Sequence, residues 1–513
     1  MGEKFDNLIR VAETAVKSGK AIYIYGCGDV AETVFKLLTA ENIAVAGLID
    51  DGEGKKNANF TDIPTITSDS LKSDENLLII IASLNFGNII YERLIKKGIS
   101  EANLSVLYRN PKTSQKKIHN IMFVGDNTDT PNFGCQATST ALREILSNSF
   151  TIADTLYRKA IITRFESIQY SACDLFSFIE DSRIYCSEVF DDLTRRIDSV
   201  EAVVINGEGT FIFENNPDRP YARRDLMVFG LIMHICIYLN KPFYVVNSIF
   251  CPWEPENPKL ISQVVKLLAF AQKVLVRDKQ SLSEISIYNI NAEYCPDALF
   301  SWHTEVNTEI RNQRSDVRIG ANCVRPLPLR GERYVLITGN SEAAHYQDHA
   351  AEVYTKLCEK VLAALCDTDI KLVLIECCKR DVFLRNAAEK FNLQIITYDT
   401  DIKISTEIIC GARVFITGRY HPAVAASLTG VNCIFMGSNS HKTVSLQDVL
   451  GIPKAEQFTY SALPDEDEID VLVSDMKKLL TKPNNKSIEA TAEINSKKAL
   501  KMCELMLGNT YGN

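Results

Sequence analysis

Short apolar runs separated by helical stretches recur along almost the whole chain. The first runs are Ala21–Tyr25, Ala44–Ile49 and Leu77–Ala82, with one helix ahead of them and another around Ile89–Lys97. Runs of about five residues rich in Ile, Leu and Val predict buried strands, and their alternation with helices predicts a parallel sheet. The polar stretch Asn110–Lys117 reads as a linker. A second alternation passes through Ile121–Val124, a helix over Thr138–Leu146, then Ala202–Ile205, Phe243–Val246 and Val274–Val276. Beyond a polar crossing at Asn307–Val317, a third carries Tyr334–Thr338, Lys371–Ile375, Gln394–Tyr398, Val414–Thr417 and Cys433–Met436. The stretch Ile488–Leu507 is helical in pattern and is expected to pack back on the earlier lobe. The expected fold class is α/β, with three Rossmann-like units at residues 1–116, 117–310 and 311–513.

A chain of 513 residues is too long for one core and fits three domains. Its net charge of −9 offers no basic surplus to neutralise phosphates along a nucleic acid, so none is expected as a partner. A few arginines focused in a cleft can still hold a small anion. No apolar run approaches the ~20 residues of a membrane helix, which leaves peripheral contact with a membrane as the most that is expected. The N-terminus lacks the apolar core of a signal peptide. Fifteen cysteines lie scattered without any C-x-x-C, a pattern of reduced, buried thiols that predicts a cytoplasmic protein without a metal site. Composition is silent on oligomeric state.

Directly after the first strand, Gly26, Gly28 and Ala31 form G-x-G-x-x-A, and Asp50 follows about twenty residues on. Small residues let the backbone turn tightly, and the helix start offers free N–H groups to a phosphate. The turn therefore reads either as a site for a nucleotide or nucleotide sugar, with Gly26, Gly28 and Asp50 as its residues, or as a purely structural element. This segment resembles the N-terminal domains of sugar-nucleotide acyltransferases.

Four later segments place polar residues where a strand is expected to end, which is where open α/β sheets bind ligands. They are Gly125–Ser139 with Asn132, Asn206–Thr210 with Glu208 between Gly207 and Gly209, Val276–Ser281 followed by Asp297, and Ile416–Pro422 followed by Met436–Lys442. In this order they resemble the polysaccharide pyruvyl transferase family, over roughly residues 120–455. The resemblance implies a pair of lobes like those of glycosyltransferase-B enzymes. It also implies transfer of pyruvate from phosphoenolpyruvate, as a ketal, to a sugar of a cell-surface polysaccharide or its precursor, without a cofactor. The family pattern carries over onto Arg277, Arg419 and His421; many relatives have a third glycine where Glu208 stands.

The chemistry suits these residue types. Phosphoenolpyruvate carries a phosphate and a carboxylate, natural partners for Arg277 and Arg419, with Lys442 as a third cation. His421 is the candidate acid for the methylene carbon, and Glu208 or Asp126 the candidate base for the sugar hydroxyl. Asn132, Gly207, Gly209 and His345 complete the expected substrate-binding set. Bland alternatives stand beside these. Arg277 and Asp278 could form a structural ion pair, His421 could cap the helix that follows, and His345 with His349 could be a solvated helix start or, four residues apart, a metal pair. A glycosyltransferase using a nucleotide sugar is the rival activity, and a non-catalytic factor binding nucleotide sugars through its first domain is the rival of another class.

Overall fold

The computed structural model describes residues 2–26, 29–51, 63–71, 76–83, 87–107, 118–164, 175–179, 184, 187–213, 220–252, 257–308 and 332–508. Both expected unit boundaries, 116/117 and 310/311, border or fall within stretches outside these residues, as does Gly28.

Three parallel sheets form in succession. The first comprises β1 (Ala21–Tyr25), β2 (Gly47–Ile49), β3 (Thr65–Ile66), β4 (Leu77–Ile81) and β5 (Leu104–Val106) in the order β3-β2-β1-β4-β5. The second comprises β6 (Asn120–Asp126), β7 (Thr151–Tyr157), β8 (Ala202–Ile212), β9 (Phe243–Cys251), β10 (Lys273–Val276) and β11 (Ala292–Tyr294), ordered β11-β10-β9-β8-β6-β7. The third comprises β12 (Arg333–Asn340), β13 (Ile370–Ile375), β14 (Gln394–Ile396), β15 (Val414–Gly418), β16 (Asn432–Met436) and β17 (Thr459–Tyr460), ordered β14-β13-β12-β15-β16-β17. The first and third follow the Rossmann order. The second is a doubly wound variant whose order reverses between β6 and β8. Strands such as β4, with all five residues buried, are apolar throughout because helices cover both faces of the sheet.

The second and third units form the expected pair of facing lobes. The C-terminal edges of their sheets meet: Phe133 N–H donates to the Cys377 carbonyl at 2.8 Å, and Asn132 forms an isolated bridge with Cys378. One apolar core runs from the helix Phe133–Ser147 of the second unit through the helix Tyr420–Ser427 of the third. The helices Lys486–Ala499 and Met502–Leu507 join that core and return to the earlier lobe, where Cys503 Sγ lies 3.5 Å from the Ile145 carbonyl. Among the described residues no helix is long and apolar enough to cross a membrane.

One expected strand end is corrected. β8 does not stop before Asn206 but runs on to Ile212, with an irregularity in its pairing to β9 between Glu208 and Phe211. Glu208 has φ 41° and Asn247, on β9, φ 54°, so both adopt left-handed backbone in the middle of strands. Glycine reaches that conformation freely, whereas a side chain there costs on the order of 1 kcal/mol or more. At the kink Glu208 is buried and bonded to Asn127 and Cys135.

Candidate functional site

The site lies where the C-terminal edges of the two lobes converge. Arg277 follows β10 and is only 2% exposed. Its Nη1 lies 3.0 Å from Asp297 Oδ2 and 3.1 Å from His421 Nε2, and its guanidinium carbon stands 4.5 Å from the centre of the Tyr420 ring. The suspected pairing with Asp278 therefore does not form; Asp278 caps the next helix instead, accepting from Ser281 N–H at 2.8 Å.

His421 is not a helix cap. Arg419 occupies the N-cap position, and His421 sits in the first turn with its imidazole turned to the other lobe. Its Nε2 lies between the donor Arg277 and the acceptor Asp297, 3.4 Å away. A neutral ring can accept from Arg277 and a protonated ring can donate to Asp297, so Nε2 has a partner in either state. Asp297 itself stays ionised: burial opposes this, but the charges of His421 and Arg277 hold its carboxyl well below the usual range. On the other side of the ring, a Cβ at Gly134 would stand 2.5 Å from Nδ1, so the helix Phe133–Ser147 presses its backbone on the imidazole.

Arg419 pairs with the buried Asp381 and donates to Cys378 Sγ at 3.3 Å. Lys442 opens the helix Lys442–Val449 and is half-buried. Its ammonium has no hydrogen-bond or ion-pair partner among the described residues. Burial, then the charges of Arg277 and Arg419, push it down to about 8. Arg277 Nε, Arg419 Nε, the Tyr420 hydroxyl and the Ser440 hydroxyl are likewise buried without partners. Unsatisfied buried donors are costly and infrequent, and here several accompany three cations.

Glu208 is 5% exposed. Asn127 Nδ2 donates to its Oε2 at 2.5 Å, Cys135 Sγ to Oε1 at 3.2 Å, and Arg158 Nη1 approaches at 3.5 Å. Burial would raise its carboxyl, but the charges of Arg158, His421 and Arg277 outweigh that and hold it below the usual range.

The other expected residues are placed as follows. Asp126 is fully buried, with Oδ2 held by Arg143 at 2.8 Å and Oδ1 accepting from Thr128 N–H at 2.9 Å, which commits both oxygens to the fold. Asn132 caps the helix Phe133–Ser147 through Cys135 N–H at 3.1 Å. Gly207 is required by close approach, because a Cβ would stand 2.4 Å from Ser248 Cβ, while Gly209 faces open space. His345 is exposed in a 3-10 turn after β12, and no metal-ligating cluster forms among the described residues. In the first unit Gly26 has φ 119° at the end of β1, and Asp50 follows β2. The neighbouring Asp51 is bound by Tyr25, Ser68 and Arg93.

Two parallel-sheet lobes meeting at their C-terminal edges over clustered cations define a two-lobed α/β protein of glycosyltransferase-B type. The model of the polysaccharide pyruvyl transferase family matches residues 132–440, and the chain belongs to that family. A second model, described as C2185-like, N-terminal, matches residues 18–104. A comparison with curated proteins yields no match. Solved structures of similar trace include the UDP-GlcNAc 2-epimerase of Methanocaldococcus jannaschii in complex with UDP-GlcNAc and UDP. It is 11% identical, with 74% of this chain and 100% of that one covered and a TM-score of 0.44. The UDP-GlcNAc 2-epimerase of Neisseria meningitidis bound to UDP-GlcNAc is 9% identical, with 75% and 100% covered and a TM-score of 0.44.

The contact at Gly134 gives a direct test. Gly134→Ala is expected to displace the imidazole from Arg277 and Asp297 and to lower turnover about tenfold or more, since a misplaced group loses its approach geometry. Steady-state kinetics alongside thermal unfolding would check it; unchanged turnover in a folded variant would show that the ring's position does not matter.

Proposed function

We propose that the protein is a ketal pyruvyltransferase that takes phosphoenolpyruvate as donor and a sugar of a surface polysaccharide, or its precursor, as acceptor. The observation that carries this reading is the Lys442 ammonium, without a hydrogen-bond or ion-pair partner among the described residues and within the field of Arg277 and Arg419. Three cations gathered with orphaned donors call for a compact, multiply charged anion, and phosphoenolpyruvate has a phosphate and a carboxylate to offer.

His421 gives a proton to the methylene carbon, which becomes a methyl group and leaves the adjacent carbon electron-poor. A sugar hydroxyl adds there, forming a C–O bond, and its proton passes to Glu208. Phosphate then departs with the C–O bonding pair, and a second hydroxyl of the same sugar takes its place and closes the ketal. The second proton leaves with phosphate or solvent. The scheme calls for no cofactor. Glu208 starts as a weak base because cations surround it, but the donor's negative charge counters them and raises its affinity for a proton. In this reading Glu208 is preferred to Asp126 because Asp126 is locked in a close ion pair with Arg143, whereas Glu208 is held by the neutral Asn127 and Cys135 and a more distant Arg158.

Phosphate release from phosphoenolpyruvate, measured with and without a panel of pyruvylatable glycans, tests the reaction. Acceptor-dependent release supports it. Absence of release, with nucleotide freed from a nucleotide sugar instead, would replace it with glycosyl transfer.

Lys442 also sets a pH dependence. Its ammonium lies at about 8 in the folded protein against 10.5 for an ordinary lysine. Donor affinity is therefore expected to fall as pH rises through about 8, with proton uptake on binding above that pH. Stability should move the other way: the unfolded chain holds this proton more tightly, so folding gains between about pH 8 and 10.5. Calorimetric titration in buffers of different ionisation enthalpy would read the uptake, and pH-independent affinity from 7 to about 9.5 would remove Lys442 from the donor site.

A further inference from the structure

Arg277 and Lys442 each adjoin, in sequence, a residue that joins the two lobes. Asp278 follows Arg277, and His441 precedes Lys442. His441 Nε2 lies 3.2 Å from Asp278 Oδ1 and 3.4 Å from Ser281 Oγ, while its Nδ1 lies 3.1 Å from Cys251 Sγ. All four side chains are buried. His441 comes from the third unit and its three partners from the second. We propose that His441 is a positioning residue of the donor site: gripped by Asp278 and Cys251 across the junction, it sets the register of the lobes and so holds Lys442 beside Arg277 and Arg419.

Three features support this role. First, His441 occupies the N-cap of the helix Lys442–Val449 yet makes no side-chain capping bond, so its imidazole is free to serve the other lobe. Second, the group it grips is rigid. Asp278 accepts from Ser281 N–H at 2.8 Å and from Ser281 Oγ–H at 2.9 Å, which fixes its carboxylate at the start of the helix Lys279–Ser286. Third, Lys442 is the cation that needs placing. Arg277 and Arg419 are anchored by Asp297 and Asp381, whereas no hydrogen bond or ion pair among the described residues holds the Lys442 ammonium, so its place follows from the backbone beside His441. Asp278 and Cys251 keep His441 protonated up to about 9 against the pull of burial, so at neutral pH both ring nitrogens donate and the ring is held at two points.

The test is a double-mutant cycle on the full-length protein with His441→Gln and Asp278→Asn. Asparagine caps a helix about as well as aspartate, so Asp278→Asn removes the charge of the clasp while sparing the helix. Each single variant is expected to raise the donor KM about tenfold, with kcat and the acceptor KM within about threefold of wild type. The double variant should be no worse than either single, because both break the same contact. Loss of fold alone would reduce active protein, and with it kcat, while leaving the donor KM in place. That pattern, or single effects that multiply, would overturn the proposal.

The proposal rests on the donor reading for the identity of the anion, so inorganic phosphate is titrated into the same variants by calorimetry. Wild type that binds phosphate but does not turn over phosphoenolpyruvate would end the donor reading alone. The clasp then stands if the variants bind phosphate about tenfold more weakly, and falls if they bind it equally. Absence of phosphate binding by wild type would overturn both.

Discussion

Lys442→Met is expected to stabilise the protein while weakening its grip on the donor. The lysine ammonium is partly desolvated, lies near two arginines and has no hydrogen-bond or ion-pair partner among the described residues, so the fold bears its cost without return. Methionine keeps the length and apolar stem and removes the charge. A gain on the order of 1 kcal/mol is the usual scale for relieving a functional residue of this kind. Donor binding should lose about 1.5–3 kcal/mol, the worth of a charged hydrogen bond, which is roughly 10- to 150-fold in affinity. The arginines do not offer so clean a probe. Arg419→Ala leaves the buried Asp381 without its ion-pair partner, at an expected cost of about 3–5 kcal/mol of stability, and Arg277→Ala leaves Asp297 with His421, Thr138 and the Leu299 N–H but without its arginine, so it also is expected to destabilise the protein. Thermal unfolding and donor titration of Lys442→Met decide the matter together. A less stable protein with unchanged donor affinity would mean that the ammonium serves the fold.

The strands that build the sheet centres were legible because burial on both faces leaves them almost purely apolar; β1 and β4 lie where the pattern placed them, within a residue. Edge strands were not. β3 and β17 are two residues long, and β7, though seven residues long, carries the polar Asp154 that pairs with Arg196, so it shows no continuous apolar run. β8 was cut short because Asn206-Gly207-Glu208-Gly209 looks like a turn, whereas the glycine at 207 admits Ser248 of the neighbouring strand.

Residue type and strand position, together with the family resemblance for Arg277, Arg419 and His421, singled these three out with Lys442 and Glu208 as candidates. They did not reveal how each acid is held. Asp126 and Glu208 both lie along strands of the second unit, and only the fold shows that Arg143, one turn from the end of its helix, reaches back to pair with the first, while Asn127, Cys135 and a more distant Arg158 hold the second within the field of His421. His441 was hidden for a similar reason. Its partners lie 163 and 190 residues earlier, and no local spacing records such a pairing. A histidine at the N-cap of a helix, where Ser, Thr, Asp or Asn is usual, was the one available signal.

His421→Gln is the substitution expected to cost most in turnover. Glutamine is close in length and polar, and its amide can still accept from Arg277 or donate to Asp297, so the ion pair between them, 3.0 Å apart, should persist. What it cannot do is release a proton at neutral pH. In the native site Nε2 lies between Asp297 and Arg277, and the helix carrying Gly134 blocks the ring from swinging away. Loss of a positioned acid costs about 100-fold or more. The donor should bind nearly as before, because Arg277, Arg419 and Lys442 are untouched, so the loss should fall on kcat and not on the donor's dissociation constant. Rapid-quench measurement of methyl-group formation in deuterated buffer gives a further check. The wild type should incorporate solvent deuterium at the methylene carbon as pyruvate is transferred, and the variant should do so at least 100-fold more slowly. If His421→Gln transferred pyruvate at the wild-type rate, the imidazole would only order Arg277 and Asp297, and the acid would have to be sought among the other protonatable groups that face the donor cations, with the Tyr420 hydroxyl, buried and without a partner, the first to test.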